Sequence, residues 1–157
     1  MSEPRSADFA PADPRFEDRV RASFARQGAM HTIGASIGVL SPGYCAIELT
    51  PRPALSQQHG YVHAGIVAAI VDSAGGYAGF TLFPADSSVL TVEFKLNLLA
   101  PARGEQLVAE GFVVKSGRTL TITRGEVHAI ERGRRTLVAL MQQTLMTMHG
   151  RADAPGA

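Results

Sequence analysis

One cysteine, Cys45, and no tryptophan occur in 157 residues. A lone thiol cannot form an intrachain disulfide, so a reducing compartment, and with it a cytoplasmic location, is the simpler expectation. Net charge is also nearly absent: the formal value is +1, spread along the chain. That argues against a dedicated nucleic-acid or membrane surface. The start of the chain, Met1-Ser2-Glu3-Pro4-Arg5, lacks the apolar core of a signal peptide. The most apolar run, Ile66 to Val71, is cut short by Asp72 and surrounded by glycines, whereas a spanning helix needs about 20 apolar residues. No repeat and no low-complexity insert is present.

What is present suits one folded domain. Hydrophobic residues make up 45% and charged residues 18%, the balance of a globular core with a polar surface. Residues 1–15, with Pro4, Pro11 and Pro14, read as a flexible tail; 16–149 read as the domain, and 150–157 as a C-terminal tail. Phe16, Val20 and Phe24 recur at helical spacing among charges, which predicts a short amphipathic helix that starts near Asp13-Pro14 and stops at Gly28. Met30 to Leu40 and Tyr44 to Thr50 alternate like strands around a Ser41-Pro42-Gly43 turn. Four further strands are predicted at about Val89–Leu99, Gln106–Lys115, Leu120–Glu131 and Thr136–Met146, joined as a meander by two tight hairpins and one looser connection.

Between the two groups of strands lies the most distinctive stretch, from His59 through His63, Ala64, Gly65 and Asp72 to Phe80. It is small and apolar for most of its length and carries one carboxylate. A single apolar helix with six strands points to an α+β fold, one curled antiparallel sheet wrapped around a long central helix, with a short N-terminal helix beside it. Such a sheet covers part of the helix and leaves strand edges open, two problems that dimerisation manages.

The spacing Gln57-x-x-Gly60-x-x-His63-Ala64-Gly65, with Asp72 further along the helix, resembles the active-site motif of PaaI-like acyl-CoA thioesterases of hotdog fold. Thr91-Val92-Glu93-Phe94-Lys95-Leu96-Asn97 is similar to the strand that follows the helix in that family. Lys115-Ser116-Gly117-Arg118-Thr119-Leu120 is similar to its next hairpin. The resemblance covers about residues 30–148 and implies hydrolysis of an acyl-CoA thioester, with coenzyme A as part of the substrate and no other cofactor. It implies a homodimer, paired further into a tetramer, with active sites shared between subunits. It also assigns roles: Asp72 as base or nucleophile, Thr91 to orient the attacking water, and Gln57 near the leaving thiolate or that water. His63 stands at the head of the helix, as a structural or a catalytic group. Lys115, Gly117, Arg118 and Thr119, with Arg103, become candidates for coenzyme A contacts. The family usually has Gly where this chain has Ala64, which bears on substrate range more than on catalysis.

Physical chemistry leads to part of the same reading. The first turn of a helix presents unpaired N–H groups and partial positive charge, so the Ala64 and Gly65 amides can hold an oxyanion. A carboxylate half-removed from water can activate a water or attack directly. Asp72 lies eight residues beyond Ala64, roughly 12 Å along a helix, so one helix cannot bring both to one carbonyl carbon. Two antiparallel helices can. His59 and His63 flank Gly60 and have no Cys or acid cluster nearby in sequence, so no metal is expected. Two alternatives share the fold: a non-catalytic acyl-CoA-binding module, and an enoyl-thioester hydratase or dehydratase.

Overall fold

The computed structural model describes residues 9–154. Six antiparallel strands are hydrogen-bonded in the order β1 (Ala35–Ser41), β2 (Tyr44–Leu49), β4 (Gln106–Ser116), β5 (Leu120–Glu131), β6 (Arg134–His149) and β3 (Ser87–Leu98). They curl around one long helix, α3 (Ala64–Phe80), which touches every strand. The α+β architecture is the one expected from the sequence.

Burial follows from the alternation of side chains along each strand. In β4, Leu107, Ala109, Gly111 and Val113 are buried against α3, and in β5 so are Thr121, Thr123, Gly125, Val127 and Ala129. From Ser73 to Phe80 every residue of α3 is buried. Small residues on both sides allow this. Gly111 faces the Ala74–Gly75 peptide so closely that any Cβ would collide with backbone. Helix and sheet therefore pack at main-chain contact.

Three expectations need correction. The run Met30–Leu40 is not one strand. A short helix, α2 (Gly28–Ile33), comes first, buries Met30 and Ile33, and ends at Gly34 in the left-handed region with φ 78°. The β-like alternation of Ile33, Ala35 and Ile37 hid an i, i+3 pair that belongs to the helix, and Gly34 supplies the C-terminal cap. Gly28 accordingly opens α2, two residues after the Arg26 cap of α1 (Phe16–Ala25).

Next, the last four strands are not a meander. β4, β5 and β6 are joined by hairpins, the second turning through Arg132 and Gly133 with φ 50° and 76°. β3 instead lies at the far edge, paired with β6 from Ser87↔His149 to Leu98↔Ala139. The Pro101–Gly104 connection is engaged elsewhere: Ala102 O accepts from Val62 N (2.9 Å) and ties down the entry to α3. β4 is thereby free to pair with β2. Finally, the tail expected over 1–15 enters the described residues at Phe9, which packs on the core, and Asp13 is 6% exposed.

Asp13 is buried because it meets Arg19 at 3.1 Å. The Arg19 guanidinium donates to the carbonyls of Phe83 (2.7 Å) and Pro84 (3.0 Å), more weakly to Phe80 (3.3 Å), and lies 4.2 Å over the Phe80 ring. It thus caps the C-terminal end of α3, where carbonyls have no helical partner. Arg19→Met is expected to lower unfolding free energy by about 2–4 kcal/mol, read from urea denaturation.

On the sheet face turned away from α3, Glu110, Glu126 and His128 converge, with Arg135 paired to Glu110 and 3.0 Å from His128 Nδ1. Three possible metal ligands meet here that no sequence motif marks, and the guanidinium supplies the positive charge among them. Burial, and then Arg135, lower the His128 pKa below 6.5, against the opposing pull of Glu110 and Glu126. The unfolded chain binds this proton at a higher pH than the folded one, so stability is full above pH 6.5 and falls as pH drops through the folded value. His128→Gln is expected to flatten that loss in denaturation curves taken on the acid side of pH 6.5.

Candidate active site

Asp72 is half-buried in the middle of α3. Its Oδ1 accepts from Thr91 Oγ1 at 2.8 Å and from Gln143 Nε2 at 2.5 Å. Gln143 Nε2 also lies 3.0 Å from Thr91 Oγ1 and 3.1 Å from the Asp72 carbonyl, and Gln143 Oε1 accepts from Thr123 Oγ1 at 2.8 Å. Gln143 is 1% exposed. One carboxylate oxygen is therefore fixed by two donors, while Oδ2 has no partner among the described residues. That free oxygen is the basic one.

The pairing of Asp72 with Thr91 depends on a bulge. Register between β3 and β6 shifts between Thr91 and Glu93, so Thr91 is opposite Leu145 while Glu93 is opposite Thr144. In a regular strand Thr91 and Glu93 would share a face. Instead Thr91 reaches the helix, and Glu93 accepts from Thr144 Oγ1 at 3.1 Å on the other side. Neither the bulge nor Gln143 was legible from the motif. The one available signal for Gln143 was a polar residue inside an apolar alternation, Met141-x-Gln143-x-Leu145, which marks a buried amide in need of partners.

At the start of α3, His63 is the N-cap, and its Nδ1 accepts from Gly65 N at 2.9 Å. An acceptor Nδ1 makes the neutral ring an Nε2–H tautomer. This changes the expected pair of free amides. Gly65 N–H is occupied, and only Ala64 N–H has no partner among the described residues. Ala64 is exposed. The loop before it is closed by Gln57 N to Tyr61 O (2.8 Å), Gly60 N to Gln57 O (3.0 Å) and His63 N to Leu55 O (2.9 Å). The Gln57 carboxamide oxygen accepts from His59 N, leaving its NH2 unengaged. Gln57 and Ala64 line a cavity of about 320 Å³ with Tyr61, Val67, Leu98 and Leu99. Asp72 and Thr91 line a different one, of about 290 Å³.

The predicted residues thus fall into two separate groups on one chain. Gln57, His63, Ala64 and Gly65 stand at the N-terminal end of α3, and Arg103, next to the Ala102 that holds Val62, is at that end too. Asp72 and Thr91 lie further along. Lys115, Gly117, Arg118 and Thr119, all exposed, belong to the β4–β5 hairpin, near where Thr121 and Leu145 meet Gly79 at the other end of α3. Arg103 and the hairpin are therefore separated by most of the length of α3, roughly 25 Å for a helix of this size. Cys45 is fully buried, and burial pushes its thiol up to about 12, which leaves it inert. Tyr77, Phe80 and Phe83 are buried in packing contacts with one another, while Tyr61 faces the cavity at Ala64. Among the described residues no helix is long and apolar enough to cross a membrane.

Comparison with known proteins bears on the family and the fold. The family model described as Thioesterase superfamily matches residues 59–136, the span from the α3 entry loop into β6. A crystal structure of a thioesterase family protein from Silicibacter pomeroyi is 47% identical, covers 86% of this chain and 99% of its own, and superposes with a TM-score of 0.85. The PaaI protein of E. coli, from the phenylacetic acid degradation operon, is 16% identical with a TM-score of 0.77, covering 88% of this chain and 96% of its own. That second likeness concerns the fold. Among curated sequences, a Halobacterium salinarum protein with a provisional esterase name is 31% identical over 100 residues, which are 60% of this chain and 66% of that protein. The chain thus spans a little under two thirds of that relative's length. By its identity to, and coverage of, the Silicibacter protein, the chain belongs to the thioesterase superfamily, and its fold is the hotdog fold.

Proposed function

We propose that the protein hydrolyses acyl-CoA thioesters to free acid and coenzyme A at sites built across two subunits. The observation that carries this reading is the half-fixed carboxylate: Asp72 Oδ1 is held by Thr91 and Gln143, and Oδ2, beside a cavity, has no partner among the described residues. Asp72 Oδ2 takes a proton from water, whose oxygen attacks the thioester carbonyl. The oxyanion is held by Ala64 N–H of a second subunit. Gly65 N–H joins it if the His63 ring releases that amide. The C–S bond then breaks, and the leaving thiolate takes up from Asp72 the proton that came from water. Water and helix dipoles supply the chemistry, and coenzyme A enters only with the substrate.

The second subunit is an antiparallel copy placed along β3. This strand is a sheet edge, and Leu90, Val92, Phe94 and Leu98 on it are 45–56% exposed, a run of apolar side chains that an isolated chain leaves in water. Pairing there sets Asp72 of one copy near Ala64 of the other. It also brings Arg103 and the Lys115–Thr119 hairpin of opposite copies to one coenzyme A.

A complementation experiment tests the reading. Asp72→Asn is expected to lower kcat by about 10²–10⁴ in a thiol-release assay. Ala64→Pro removes the amide donor at the first helical position, where proline is tolerated. His63 already has the extended conformation, ψ 138°, that a following proline demands. Its expected cost is about 10²–10³. Refolding the two inactive variants together restores roughly a quarter of wild-type activity if each site takes one residue from each chain. No recovery in the mixture sinks the shared site, and full activity in Asp72→Asn sinks the hydrolytic role.

The support beneath Asp72 gives a further expectation. A Cβ on Gly75 would run into Gln143 Oε1 and crowd Thr123, whereas one on Gly76 meets nothing within 4 Å. Gly75→Ala is expected to displace Gln143, lowering stability by about 1–3 kcal/mol and kcat with it. Gly76→Ala is expected to hold or raise stability, by up to about 1 kcal/mol. Thermal melts and kcat for the pair distinguish the two sites.

A further inference from the structure

The cavity beside Asp72 has a wall that the reaction itself does not use. Facing Asp72 and Thr91 are Ser23, Gln27 and Tyr77, from α1, the α1–α2 junction and α3. The Tyr77 hydroxyl accepts from Gln27 Nε2 at 2.9 Å and lies 3.2 Å from Ser23 Oγ. Its ring is fixed against Phe24 and Phe80, with centroids 5.8 and 6.3 Å away. Tyr77 and Ser23 are buried, so these polar groups form a preset surface and not a solvated one.

Gln27 has hydrogen-bonding capacity to spare. One N–H goes to Tyr77. Among the described residues, the carboxamide oxygen meets only Ser73 Oγ, at a long 3.4 Å. A second N–H and most of an acceptor remain. A hydroxyl group, which gives one hydrogen bond and takes one, matches that pair. An alkyl chain end does not, and leaves the amide desolvated without a partner.

Charge narrows the choice further. The cavity is lined by two carboxylates, Asp72 and Asp153, and one guanidinium, Arg26. Arg26 is already paired with Asp153. An acyl group bearing its own carboxylate therefore meets net negative charge. The Arg26–Asp153 pair also stands among the lining residues as a link between α1 and the C-terminal segment, and the volume of about 290 Å³ suits a compact group. Ser23, Arg26, Gln27 and Asp153 all lie outside the span 59–136 shared with the family model.

We infer that this cavity receives the acyl group, and that Gln27, held by Tyr77, selects a neutral, compact acyl group with a hydroxyl at its far end. This rests on the thioesterase reading given above. The test compares kcat/KM for three matched thioesters: ω-hydroxyhexanoyl-CoA, hexanoyl-CoA and adipoyl-CoA. The hydroxylated substrate is expected to lead both others by about tenfold or more. Gln27→Leu is expected to bring the hydroxylated-to-plain ratio within about twofold, since a leucine side chain has neither donor nor acceptor. Tyr77→Phe, which unties Gln27 while keeping the ring, is expected to lower the same ratio by at least about threefold. A wild-type ratio near one, a preference for adipoyl-CoA, or variants that slow hydroxylated and plain substrates equally would each overturn the inference while hydrolysis itself stands. Absence of thiol release from all three, with release from phenylacetyl-CoA, overturns this inference alone; absence of release from phenylacetyl-CoA as well removes the thioesterase reading and this one with it.

Discussion

The main-chain contact between α3 and the sheet is the constraint on which the rest depends. Gly111 on β4 accepts the Ala74–Gly75 peptide at a distance no side chain would permit. That approach buries α3 from Ser73 onward and fixes its height above β4 and β5. A carboxylate on such a helix is costly unless its charge is met by donors. Asp72 sits at the boundary, and the residues that meet it come from two strands: Thr91 on β3 and Gln143 on β6, with Thr123 on β5 behind them. Because Gly75 has no side chain, Gln143 can lie directly under the helix. Packing and acid–base chemistry are thus set by the same small residues.

A second consequence is the division of the site. A straight helix of this length keeps its N-terminal amides and its mid-helix carboxylate apart, and no loop in the structure closes that distance. The chain has two separate cavities, one lined by Ala64 and one by Asp72, and on the reading proposed above each holds half of what acyl transfer requires. An apolar, unpaired β3 edge running alongside both is consistent with completion by a second copy. The cap by His63 adds a detail. It uses one of the two amides that would otherwise face a ligand, so anion binding at this end competes with helix capping.

Much of this was readable in the sequence, and the parts that were not have identifiable causes. The long small-residue helix, the six strands and Asp72 itself follow from periodicity and from the isolation of one acid in an apolar run. The pairing of Asp72 with Thr91 was suggested by resemblance, but its geometry rests on a bulge at Val92 that leaves no mark in local composition. Gln143 belongs to a strand 71 residues away from Asp72, and only the register of β3 on β6 brings it there. The edge position of β3 was misread because short connections suggest neighbours, whereas Pro101–Gly104 is held by the α3 entry loop. α2 was misread because Gly34 ends a helix as readily as it interrupts a strand.

The two ends of the chain carry information that the central motif does not. Both were expected to be tails, yet Asp13 and Arg19 cap α3, and Asp153 reaches Arg26. Chemistry common to a family must be placed by the elements that all members share, here α3 and the strands around it. Discrimination between acyl groups needs contacts beyond the reacting atoms, and it can change without disturbing them. Segments packed over the open side of α3 are suited to that task. They touch Ser73, next to Asp72, and Tyr77, further along the helix, while leaving the Thr91–Gln143 support untouched. On the reading proposed above, Asp72, Thr91 and Tyr77 lie within the residues 59–136 that match the family, while Gln143, Ser23 and Gln27 come from the flanks that pack upon them.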